Sequence, residues 1–272
     1  MSLREKAQVK VVDVMEKEFP KVDKNETLYH AVKIMEKYGY DRVVVLDEGK
    51  LVGVATKKDI IMKLGTERTR RATPGGMHIS SFMTPNPITV NPNTTVGEVS
   101  KIMISKEISS LPVVEENELI GLVTKWSIAK LLEDVEIPVR EVMSTSPIAV
   151  KLSDRVLHVR QLILNEGLTF IPVIDENGRV IGSISIDEVA DALFAFHDIV
   201  PEKHRRERIM HLLVSDIMRL RPPKIQATDP LGETIKEMRK RRYRGAIVVD
   251  NEDRPIGVVT LTDITEYLAT MS

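Results

Sequence analysis

The sequence predicts an α/β protein in which one β-α-β-β-α unit occurs four times in tandem. Three observations predict it. A hydrophobic residue followed by Met recurs at Val14-Met15, Phe82-Met83, Val142-Met143 and Ile217-Met218. An apolar stripe opens thirteen residues after each Met, at Leu28, Val96, Val156 and Leu231. A strand-like run then passes through Gly53, Gly121, Gly182 and Gly257, which stand 25, 25, 26 and 26 residues beyond the start of the stripe. Self-similarity at such a period marks a supersecondary unit whose hydrophobic face a neighbour must cover.

Each element of the unit follows from its residues. In repeat 1 the stripe is Leu28, Ala31, Val32 and Met35, the i, i+3, i+4, i+7 pattern of a helix with one buried face. Repeat 4 has Leu231, Thr234, Ile235 and Met238, and repeats 2 and 3 carry the thinner stripes Val96, Val99, Met103 and Val156, Val159, Ile163. A β-branched run comes next, such as Val43-Val44-Val45 or Ala246-Ile247-Val248-Val249, then a polar turn and the run through glycine. Two such runs across a short turn read as a hairpin. The extra residue of repeats 3 and 4 falls in that turn, where insertions are tolerated. An apolar helix closes each unit, expected from near Asp59, Ser127, Glu188 and Asp263.

The repeats span residues 1–64, 78–134, 138–196 and 212–272. A single unit leaves its sheet half exposed, so the expectation is two modules, 1–134 and 135–272, each made of consecutive repeats. Composition narrows the class. With 42% apolar and 4% aromatic residues, the core is mostly aliphatic. Lys plus Arg (39) nearly cancels Asp plus Glu (40), which argues against a general nucleic-acid-binding surface. No stretch approaches the 18 or so apolar residues of a membrane span, and residues 1–10 lack the apolar run of a signal peptide. A cytoplasmic location is expected. The chain has no cysteine, so no thiol nucleophile or Cys-ligated metal. Neither H-E-x-x-H, nor G-x-x-x-x-G-K-S/T, nor G-x-S-x-G occurs, and no enzymatic activity is expected.

The opening Met83-Thr84-Pro85, the strand Leu111-Pro112-Val113-Val114 and the ending G-h-h-T-x-x-D together resemble the cystathionine beta-synthase (CBS) domain. Two such repeats make a Bateman module. Four without an attached enzyme resemble the gamma subunit of AMP-activated protein kinase and stand-alone archaeal CBS proteins. The resemblance implies four β-α-β-β-α CBS repeats in two Bateman modules, arranged as a pseudo-symmetric disc with inward-facing clefts. It also implies an adenosine ligand: AMP, ADP or ATP, with S-adenosylmethionine or methylthioadenosine as the alternative.

In that family a Ser/Thr-x-x-Asp at the last strand and helix start reads the ribose. Here the positions are Thr56 and Asp59, Thr124 and Ser127, Ser185 and Glu188, Thr260 and Asp263. A carboxylate can accept both hydrogens of a cis-diol, so Asp59 and Asp263, with Thr56 and Thr260, are the expected ribose residues. The alternative is a helix N-cap. Ser127 lacks the charge, and Glu188 sits beside Asp187, so those two sites are expected to be weaker. The family's phosphate-contact positions fall on Asp41-Arg42, Ser109-Ser110, Thr169-Phe170 and Arg244-Gly245. Arg42 and Arg244 are therefore the expected phosphate residues, an arginine fork holding two oxygens at once. Lys57, Lys125, Ser109 and Ser110 are helpers. Trp126 either packs or stacks on adenine. The basic runs 68–71 and 204–208 read as solvated loops or as a polyphosphate clamp.

The expectation is a non-enzymatic adenine-nucleotide sensor, without a catalytic cofactor, that couples ligand state to an unidentified protein partner, with a homodimer as a candidate assembly. A ligand-free scaffold is the remaining alternative.

Overall fold

A computed structural model describes residues 1–64, 66 and 73–271. The helices that carry the apolar stripes are Leu28–Tyr38, Val96–Ser105, Val156–Asn165 and Leu231–Arg241. The threonines before the first two cap them: Thr27 accepts from the His30 amide and Thr95 from the Glu98 amide. Each stripe faces inward, and Leu28, Val96, Val156 and Leu231 are fully buried.

The hairpins are Arg42–Asp47 with Lys50–Thr56, Ser110–Glu115 with Glu118–Thr124, Phe170–Ile174 with Val180–Ser185, and Gly245–Val249 with Pro255–Thr260. Three of the four units carry a parallel strand on the outer side of the first hairpin strand: Lys21–Asp23, Val150–Lys151 and Lys224–Ile225. In repeat 2 this pairing shrinks to one parallel bridge, Val90 to Val113.

The other sheet edge is completed by exchange. The strand Thr84–Pro85, which leads into repeat 2, pairs with Val54 and Gly53 of repeat 1. Glu16, which leads into repeat 1, bridges to Leu122 of repeat 2. Ser144–Thr145 pairs with repeat 4, and Arg219–Leu220 with repeat 3. The recurring Met and the recurring Gly meet at these edges. A Cβ on Gly53 would lie 2.4 Å from the Met83 sulfur, and one on Gly121 would lie 2.4 Å from that of Met15. On Gly182 and Gly257 it would lie 2.9 Å from the sulfurs of Met218 and Met143. A side chain of any size there would expel the methionine, which accounts for both motifs at once.

Sheets of consecutive repeats face each other. Phe19, Val44, Val54 and Leu122 form the apolar seam between repeats 1 and 2, and Phe170, Val180, Tyr243 and Ile247 that between 3 and 4. The two large cores run the other way. One joins repeats 1 and 3, with helix Lys57–Lys63 packed on Ile186–Ile199; the other joins 2 and 4, with Leu261–Ala269 packed on Val96–Ser105 and Lys125–Leu131. Sheet and helix interfaces thus alternate around a closed ring, and each module relies on the other to bury its helices.

One further element differs from expectation. The run 204–208 is not a loop: it lies in helix Glu202–Arg208, where buried Arg205 donates to the carbonyls of Val200 and His197. The run 68–71 lies outside the described residues. Among the described residues no helix is long and apolar enough to cross a membrane, and no group of three or more His, Asp or Glu could hold a metal ion.

Candidate functional site

The S/T-x-x-D/S/E segments are all capping boxes. The closing helices start at Lys57, Lys125, Ile186 and Leu261, two residues earlier than the sequence reading placed them. The hydroxyl residue, not the acid, is the N-cap, because the strand runs straight into the helix. The acid sits at the third helical position and reaches back. Oδ2 of Asp59 accepts from the Thr56 amide and hydroxyl, both at 2.7 Å, and Oδ2 of Asp263 accepts from Thr260 in the same way at 2.7 and 2.6 Å. Thr124 with Ser127 and Ser185 with Glu188 close equivalent boxes.

The second carboxylate oxygens differ. Among the described residues Oδ1 of Asp59 accepts no hydrogen bond, whereas Oδ1 of Asp263 accepts from Ser144 Oγ at 2.5 Å. Asp59 is 8% exposed, and burial pushes its carboxyl above the usual range against the pull of the Thr56 hydrogen bonds.

Asp59 opens on a cavity of about 740 Å³ to which all four repeats contribute. That volume lies in the range of small-molecule sites. Of the expected residues, Thr56, Asp59, Arg42, Arg244, Lys125, Ser109 and Ser110 line it. Thr260, Asp263, Thr124, Ser127, Ser185 and Glu188 do not; each is engaged in its own capping box. Lys57 also faces elsewhere, toward Asp191 at 2.8 Å and Asp187 at 3.5 Å on the last helix of repeat 3. Those two carboxylates raise its pKa against the opposing effect of burial.

The arginines are not free. Asp41 Oδ1 and Oδ2 accept from Arg42 Nε and Nη2 at 2.6 and 2.8 Å. Oδ2 of Asp41 also accepts from Arg244 Nη2 at 2.5 Å, and Arg244 makes a second, forked pair with Asp187. Burial alone would raise both aspartates; the guanidinium charges overcome it and hold Asp41 and Asp187 below the ordinary range. Asp187 therefore faces the cations Arg244 and Lys57. One donor is left over: Nη1 of Arg42, itself 4% exposed, is buried with no hydrogen-bond partner among the described residues. An unmade bond of this kind costs about 1–3 kcal/mol.

Lys125 completes the group. It donates to Thr262 Oγ1 at 2.9 Å, and burial, followed by the charge of Arg42, lowers its pKa to about 8. The sequence reading missed Asp41 as a participant and missed Lys58, which lines the cavity where Lys57 does not. It also missed Thr84, Asn86 and Ile88, which line the cavity beside Asp59. Asn86 adopts the left-handed region, φ 49°, before Pro87. The Met-Thr-Pro opening was the available signal for this wall, but its relation to Asp59 exists only through strand exchange. Trp126 lies on the cavity lining with its side chain part-buried against the core of repeats 2 and 4.

Comparison with known proteins places this geometry. The CBS domain model matches residues 11–65, 79–134, 139–195 and 214–270. A crystal structure of MJ1225 from Methanocaldococcus jannaschii, described as a proposed archaeal homolog of g-AMPK, superposes with a TM-score of 0.81 at 22% identity, covering 96% of this chain and 100% of that one. Among curated proteins, the chain is 26% identical over 170 residues to a homoserine O-acetyltransferase of Methanococcus vannielii, covering 61% of this chain and 31% of that one. It is 29% identical over 113 residues to an L-aspartate semialdehyde sulfurtransferase of Methanocaldococcus jannaschii, covering 41% of this chain and 22% of that one. The chain thus spans a third or less of those two enzymes.

Proposed function

The chain belongs to the CBS domain family, and from that premise we propose that it is a non-enzymatic regulatory protein that binds an adenine nucleotide in its central cavity. The observation that carries this reading is the placement of Asp59 and Arg42 on one cavity wall. Asp59 offers a carboxylate oxygen with no partner among the described residues, suited to a ribose hydroxyl. Arg42 offers a buried N–H with no partner among them, suited to an anionic oxygen. Lys58 and Lys125 line the same cavity and add positive charge. A diol reader and an anion reader at one site fit a nucleoside phosphate better than an uncharged adenosine derivative.

The ligand would contact several repeats at once, so binding changes how the ring closes. A partner protein that prefers one state of the ring would then read the ligand, with a coupling of roughly 1–3 kcal/mol. The bonds that tie Arg244 of repeat 4 to Asp41 of repeat 1 and Asp187 of repeat 3 give the cavity a mechanical link to three of the four repeats.

Calorimetric titration of nucleotide-stripped protein with AMP, ADP, ATP and S-adenosylmethionine tests the proposal. Saturable nucleotide binding that is lost in Asp59→Ala supports it. Binding of the sulfonium compound alone makes the protein a methyl-donor sensor, and no binding of any of the four leaves a scaffold.

A further inference from the structure

Asp41, Ser109, Thr169 and Arg244 occupy the same position in the four repeats, and all four line the central cavity. The position is basic in repeat 4 and acidic in repeat 1, and the two meet across the ring at 2.5 Å. Asp41 also holds Arg42 through both of its oxygens. Around this contact Arg42, Arg244 and Lys57 face Asp41, Asp187 and Asp191, three cations against three carboxylates. The charged side chains that line the cavity likewise sum to zero, five of each sign. A cavity of this balance offers an anion Arg42, Arg244 and the Lys58, Lys106 and Lys125 ammonium groups, but five carboxylates match their charge and leave no surplus for a long polyphosphate.

We infer that Asp41, backed by Asp187, sets the number of phosphates the central site accepts, admitting a monophosphate and rejecting a triphosphate. A single phosphoryl group can be met by the Lys58, Lys106 or Lys125 ammonium group on the lining and leave the Asp41 pairs intact. A triphosphate brings further negative oxygens into the region that Asp41 occupies. There it either meets the Asp41 carboxylate or must displace Asp41 from both arginines. Like charges so placed are a means of excluding the wrong partner. The inference rests on the nucleotide reading for its adenosine half only, since the anion selectivity can be measured without adenosine.

The test titrates wild type, Asp41→Asn and Asp187→Asn with AMP and ATP, and in parallel with orthophosphate and tripolyphosphate. Wild type should bind AMP at least about tenfold tighter than ATP, and Asp41→Asn should shift that ratio toward ATP by about tenfold or more. Asp187→Asn should shift it in the same direction by less, and it carries the test should Asp41→Asn fail to fold. Wild type that binds ATP as well as AMP overturns the inference, as do folded variants with an unchanged ratio. If no nucleotide binds but the variants gain tripolyphosphate over orthophosphate, the role of Asp41 stands and the adenosine reading fails. If neither series binds to any of the three proteins, both fail.

Discussion

Ser144 Oγ donates to Asp263 Oδ1 at 2.5 Å, so the carboxylate that the sequence pairs with Asp59 has both oxygens occupied. Ser144 follows Met143 as Thr84 follows Met83, so the two are equivalent residues on exchanged strands. Among the described residues no such bond joins Thr84 to Asp59. The pseudo-symmetry of the ring therefore holds in the backbone and breaks at the second oxygens of these two carboxylates.

Removing the Ser144 hydroxyl should release Asp263. Ser144→Ala is expected to leave Asp263 Oδ1 open to a ligand hydroxyl, and calorimetry with nucleotide would register this as a second binding event. An unchanged isotherm would mean that the Ser144 bond is not what keeps Asp263 from a ligand.

Asp59→Ala should weaken nucleotide binding by about 1.5–3 kcal/mol, the loss of charge-assisted hydrogen bonds to the ligand. Asp263→Ala should cost much less in the wild-type background and approach the Asp59 effect once Ser144 is alanine. Both substitutions also break a capping box, at a cost of about 0.5–2 kcal/mol in stability. Melting curves separate this from binding: equal melting losses with unequal binding losses are expected.

The contrast between what the sequence disclosed and what it withheld follows from where each partner lies. The stripe of Leu28, Ala31, Val32 and Met35 is local, so the helix start could be read from it directly. The Met and Gly motifs were both visible, but that Met83 lies on Gly53 while Met15 lies on Gly121 is a fact of strand exchange between repeats. The same holds at the site. Arg244 could be matched to a phosphate position, yet its carboxylates, Asp41 and Asp187, are 203 and 57 residues away in the chain. Lys57 and Lys58 are adjacent and chemically identical. Only the packing of helix Lys57–Lys63 on helix Ile186–Ile199 turns one to Asp191 and leaves the other on the cavity.

Gly232 marks the joint between repeats 2 and 4. A Cβ there would lie 2.4 Å from the Glu133 carbonyl oxygen and 2.9 Å from that of Val135, which already accepts from the Gly232 amide. Backbone cannot yield as a side chain can, so Gly232→Ala should destabilise the fold by about 1–3 kcal/mol, the usual cost of overpacking. Gly53→Ala meets only the flexible Met83 side chain and should cost less. Thermal melting of the two variants tests the order, and the reverse order would mean that the strand exchange tolerates less movement than the helix joint.

Lys125 should make anion binding in the cavity a proton-linked event. Its pKa lies at about 8, below the ordinary 10.5, chiefly because it is buried and secondly because Arg42 is near; Arg244 and Lys58 act in the same direction and Asp263 opposes them. Across that window the unfolded chain binds the proton more tightly than the folded one, so this residue makes stability rise with pH between about 8 and 10.5. An anionic phosphate reverses the balance by favouring the ammonium form. At pH 8 the group is about half protonated before binding, so each phosphate bound at the site should take up on the order of half a proton. Calorimetry in buffers of different ionisation enthalpy reads this number directly. The Lys125 share of the uptake should fade below about pH 7, where Lys125 is already charged, and uptake at pH 8 should vanish in Lys125→Met. Uptake that persists in Lys125→Met would assign the proton to another group and remove Lys125 from the anion site.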